Sequence, residues 1–169
     1  MVNERLIDPQ IVRWLNGVHD DMVSTLRREA PNLYLQRSPG VDGESLDSAI
    51  CAHLEWREKL EELLASADTP QLEGGIVARD DQCALGRWIH GDGLARLGDL
   101  PALLQLRKVH AEFHRQVGEI VIEAGQGNSA QVRQLLDGRP YLEISWKVVE
   151  AISELAAALG RPTGTPPAV

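Results

Sequence analysis

PALLQLRKVHAEFHRQVGEIVIEA, residues 101–124, decides the fold. Leu103, Leu106, His110, Phe113, Val117 and Ile120 or Val121 recur at steps of three and four, the spacing that lines side chains along one face of an α-helix. Pro101 suits a first helical turn, where a missing N–H breaks no bond, and Gly125 and Gly127 supply the stop. A long helix is predicted, with both of its histidines, His110 and His114, on the buried side.

The same period continues in both directions. Downstream, Asn128 or Ser129 can cap another helix, which Gly138 and Pro140 divide before it resumes to about residue 159. Upstream, Asp80 or Asp81 can cap a short helix that begins close to Cys83 and ends near residues 91–93, behind a loop holding Pro70, Gly74 and Gly75. Before that, a helix over about residues 44–66 carries Leu46, Ala49, Ile50, His53, Leu60 and Leu63 or Leu64 on its inner face. No alternating valine- and isoleucine-rich run speaks for a strand. The fold class is therefore all-α, an antiparallel four-helix bundle over residues 46–159. Residues 1–45 read as an additional N-terminal helix, about 8–28, with Ile11, Trp14, Leu15, Val18, Met22 and Leu26 on one face, then a linker with Ser38-Pro39-Gly40 and Asp42-Gly43. That helix either packs on the bundle or serves as an output element. Residues 160–169 read as a disordered tail.

Composition narrows the function. At 169 residues and 43% hydrophobic, the chain can bury a core but not two full-sized ones. Seventeen Lys and Arg against twenty-five Asp and Glu give a net charge of −8 with no basic run, which argues against nucleic acid. No stretch has the ~18 apolar residues of a membrane span, and the first ten residues lack a signal-peptide layout, so a cytoplasmic location is expected. In that reducing setting Cys51 and Cys83 are not expected to pair, and a cysteine accompanied by histidines points to metal.

His110 and His114, one turn apart, can present two imidazole nitrogens to one point. His53 lies within an apolar stripe, where an unpartnered ring would cost roughly 1–3 kcal/mol. Cys83, near a helix start, is expected to favour the thiolate that binds zinc. One thiolate and three imidazoles complete a tetrahedron around Zn2+ at ~2.0–2.3 Å. Four protein ligands leave no position for a substrate, so no enzymatic activity is expected. The run His110-Ala111-Glu112-Phe113-His114 lacks the glutamate that directly follows the first histidine in zinc proteases. His19, His90 and Cys51 are set aside, the last because two residues from His53 it points to another face. Trp56 and Trp88 read as core aromatics, and Gly86 as a point of close backbone approach.

Three motifs hold the four candidates: His53-Leu54-Glu55-Trp56-Arg57, Cys83-Ala84-Leu85-Gly86-Arg87-Trp88-Ile89, and His110-Ala111-Glu112-Phe113-His114. Together they resemble the chemoreceptor zinc-binding domain family, whose pattern is H-x-x-W-[KR], then C-x-[LF]-G-x-W, then a helix with paired histidines. Thirty residues from His53 to Cys83 and twenty-seven from Cys83 to His110 agree with it. The resemblance implies a four-helix bundle holding zinc by His53, Cys83, His110 and His114, usually as a homodimer. It also implies a sensory role beside a signalling protein of chemoreceptor or diguanylate cyclase type. Neither a G-G-[DE]-E-F motif nor a long heptad hairpin is present, so the output partner stays open. A module reporting zinc level or oxidant is the expectation; a structural zinc bundle that binds a partner constitutively is the alternative.

Overall fold

The computed structural model describes residues 46–65 and 72–160, together with Thr25, Arg28 and Pro31. Apart from Thr25 and Arg28, the expected N-terminal helix lies outside these residues, as do its linker and the tail after Gly160. What is described is an all-α bundle. Its elements are α1 (Asp47–Ala65), α2 (Gly74–Val77), α3 (Ala84–Trp88), a π-helical turn (Ile89–Gly93), α4 (Leu94–Leu97), α5 (Pro101–Gly125), α6 (Ser129–Leu136) and α7 (Arg139–Ala158).

The apolar periods become the buried faces. On α5 the whole stripe is inside, from Leu103 and Leu106 through His110, Phe113 and Val117 to Ile120 and Val121. On α1, Ala49, Ile50, His53, Leu60 and Leu63 are buried, as the spacing requires, and Trp56 joins them. Gly138 precedes α7 and Pro140 occupies its first turn, where proline breaks no bond. Two cross-helix contacts fix the direction of α1 against α7. His53 faces Ser145 and Glu61 faces Tyr141, so the two helices run antiparallel.

Three local expectations are corrected. Gly91 and Gly93 do not end the helix after Cys83. The chain passes through them as a π turn and stops only at Gly98, which has the positive φ of 55° that favours glycine. Gly93 is needed for closeness, since a Cβ there would lie 2.9 Å from the Trp88 carbonyl oxygen and 3.2 Å from its ring. The cap of α3 is neither Asp80 nor Asp81 but Cys83, whose Sγ accepts the Gly86 N–H at 3.2 Å. The aspartates are engaged elsewhere, Asp81 with Arg79 and Asp80 with His90. Gly74 and Gly75, read as loop, begin the single turn of α2.

Phe113 is the centre of the core. Fully buried, it packs edge-on against the rings of His53 at 4.7 Å, Trp56 at 5.7 Å and His114 at 5.5 Å, and stacks on Tyr141 at 6.0 Å. Phe113→Ala removes all four contacts and leaves a cavity that rigid helices do not close. It is expected to lower unfolding free energy by about 3–5 kcal/mol, read from urea denaturation; a loss below about 1 kcal/mol would contradict the central place given to this ring.

Candidate metal centre

Cys83, His110 and His114 come together. One donor atom from each lies within 4.8 Å of the other two, and all three residues are buried. The convergence has separate local causes. His110 and His114 are one turn apart on α5, with ring centroids 4.7 Å apart. Cys83 is brought across from the start of α3, so that its Sγ stands 3.3 Å from His110 Nε2.

His114 is aimed by a backbone group. Its Nδ1 is 2.8 Å from the Val77 carbonyl oxygen at the end of α2. A carbonyl only accepts, so Nδ1 carries the proton and Nε2 keeps its lone pair for a metal. The carbonyl reaches the ring because α2 lies almost on the surface of α5. A Cβ on Gly118 would fall 2.6 Å from the Ala78 Cβ, and one on Gly74 would fall 2.8 Å from Ile122 Cγ1. No side-chain pattern announces Val77, which sequence reasoning missed; the paired small residues were the available signal.

His53, the fourth expected ligand, is not brought into this group: neither of its ring nitrogens lies within 4.8 Å of all three donors. Its Nε2 lies 3.0 Å from Ser145 Oγ, and its ring packs on Phe113. Ser145 was also missed, although a serine within the apolar stripe of α7 is itself a signal. His90, set aside earlier, is bonded to Asp80 at 2.9 Å. Cys51 is exposed and both cysteines are free thiols. Trp56 and Trp88 are core residues, the former 4.7 Å from the His114 ring.

Electrostatics keep the imidazoles neutral, the form that binds metal. Burial lowers His53 from 6.5 to about 3, helped by the charges His114 and Arg57 would bring. Burial, then His114 and His53, hold His110 well below its ordinary value. Burial also lowers His114, opposed by its bond to Val77 and by Asp80 and Asp81. Cys83 departs from expectation. Burial pushes its thiol up to about 11, outweighing the Gly86 and Leu85 N–H groups and Arg87, which favour the thiolate. A helix start contributes a modest stabilisation of the anion, and removing sulfur from water costs more. The metal must therefore displace the proton.

The donors suit zinc: a thiol and imidazoles within one coordination sphere of each other. His110 makes the same case from another side. Its Nε2 is turned to Cys83 and its Nδ1 is buried without a hydrogen-bond partner, so the core offers no other reason for a polar ring here. A helical bundle with a buried Cys-His-His group is a metal-binding module. Residues 53–121 match the family described as chemoreceptor zinc-binding domain, a span that holds all three of these residues and His53. This segment is similar to that family, and Zn2+ is the metal that its donor group suits. No curated protein and no solved structure matches the chain.

Two predictions follow from this geometry. A Cβ on Gly86 would lie 1.8 Å from the Asp80 carbonyl oxygen, whereas one on Gly75 meets nothing within 4 Å. Gly86→Ala should therefore destabilise by about 1–3 kcal/mol or more, while Gly75→Ala, in a helical turn, is neutral or stabilising; equal melting temperatures for the two variants would refute the close approach. The second concerns pH. Because His53, His110 and His114 resist protonation in the fold, the unfolded chain binds more protons below about 6.5. Their contribution is fully present above that pH and is lost as pH falls toward the lowered values. Chelator-treated protein should lose stability between pH 7 and 5, with a slope of up to about 1.4 kcal/mol per pH unit per histidine. A urea midpoint independent of pH in this window would exclude neutral buried imidazoles.

Proposed function

We propose that this chain is a regulatory zinc module, in which Cys83, His110 and His114 hold the ion with His53 as fourth ligand and the state of the site is reported to a signalling partner. The observation that carries the reading is the buried convergence of Cys83, His110 and His114 within 4.8 Å. When bound, the ion supplies a charge that fixes α3 to α5 through its ligands. Val77 orients His114, the α5 backbone spaces it from His110, and burial keeps both rings uncharged.

With His53 added, four protein ligands leave no open position for substrate, and the role is sensory and not catalytic. Two inputs would act on the same bonds. Falling free zinc empties the site, and oxidation of Cys83 toward sulfenic acid weakens the sulfur ligand. The output would pass to a protein of chemoreceptor or diguanylate cyclase type, with the chain acting as a cytoplasmic homodimer. No helix among the described residues is long and apolar enough to cross a membrane. Residues 46–159 are proposed as the sensory unit and residues 1–45 as the element that carries or docks its output.

Elemental analysis of protein purified without chelators tests the centre. About one zinc per chain is expected, falling in Cys83→Ser and His110→Ala; no zinc in a folded wild type supplied with the metal would overturn the reading. A second measurement separates sensing from a structural role. If peroxide or a competing chelator removes zinc reversibly while helical circular dichroism persists, the site can signal; if removal unfolds the chain, the metal is structural.

A further inference from the structure

Ser145 sits in the core on the inner face of α7, 1% exposed, between Tyr141 and Val148. A serine inside a helix commonly turns its hydroxyl to its own backbone. Here Oγ also faces α1. It lies 3.0 Å from His53 Nε2 and accepts from Arg57 Nη1 at 3.4 Å. Arg57 pairs with Glu61, Nε to Oε1 at 3.2 Å, and Glu61 accepts the Tyr141 hydroxyl at 2.9 Å. These side chains close one seam between the two antiparallel helices, and His53 is at its inner end.

The seam restricts the proton on His53. A guanidinium can only donate, so Arg57 takes one lone pair of Ser145 Oγ and leaves one to accept from the ring. The reverse arrangement, with the serine hydroxyl donating into a bare Nε2, would place the neutral ring's proton on Nδ1. Both nitrogens would then be engaged, and none would be left for a metal. A ligating histidine keeps one bare nitrogen and donates from the other. On the reading that His53 is the fourth ligand, we propose that Ser145, held by Arg57, is a positioning residue that accepts the Nε2–H of His53 and so presents Nδ1 to zinc. His114 is set the opposite way, with its proton on Nδ1 toward Val77 and Nε2 free. The centre thus uses both tautomers, with His110 presenting Nε2 as His114 does.

The test pairs zinc affinity, by competition with a chromophoric chelator, with nitrogen-15 histidine spectra of the zinc-loaded chain. Wild type, Ser145→Ala and His53→Ala are compared, each checked for helical circular dichroism. Ser145→Ala is expected to weaken zinc binding by about 10–100-fold, the usual loss when a ligand's supporting hydrogen bond is removed. In wild type the spectra should show His53 metal-bound at Nδ1 and protonated at Nε2. Wild-type affinity in Ser145→Ala, or a metal-bound Nε2 on His53, overturns the proposal while leaving His53 a ligand. Unchanged affinity in His53→Ala is a different failure, removing the fourth-ligand reading and this proposal with it.

Discussion

Three imidazoles and a thiol occupy places where a helical bundle would ordinarily hold leucines, and the need to satisfy their polar atoms shapes the core around them. Each solution reaches into a different element. His114 is answered by a carbonyl at the end of α2, which requires α2 to lie almost in contact with α5 through Gly74 and Gly118. His53 is answered by Ser145 on α7 and Cys83 by the backbone of α3. An unpaired polar group at these depths costs on the order of 1–3 kcal/mol, so the arrangement of helices and of hydrogen bonds cannot be chosen independently.

Much of this was legible in the sequence. The long helices were, because their apolar residues repeat at the helical period, and Gly138 and Pro140 divided α6 from α7 where the structure does. The trio of Cys83, His110 and His114 was legible because polar, metal-capable residues on apolar faces are uncommon and these converge. Harder to read were features whose chemistry is not carried by a distinctive side chain. Val77 acts through a carbonyl that every residue possesses. Gly93 looked like a terminator because sequence does not distinguish a glycine needed for backbone freedom from one needed for closeness to Trp88.

The acid-base expectation for Cys83 failed for a quantitative reason. Its position at a helix start was read correctly, and the donors that favour the anion are in place. The amount of water removed from the sulfur was not visible without the fold, and that loss dominates. Depth of burial is a property of how helices pack, so a residue's charge state is among the last things a sequence discloses.

The sulfur of Cys83 is at once the acceptor that starts α3 and a donor atom of the metal group. Chemistry at that atom is therefore written directly into main-chain geometry, with no intervening side chain to absorb it. Three residues on is Gly86, wedged against Asp80 with no room to shift toward it. The first turn of α3 thus behaves as a latch whose catch is a single atom, shared between the backbone and the donor group.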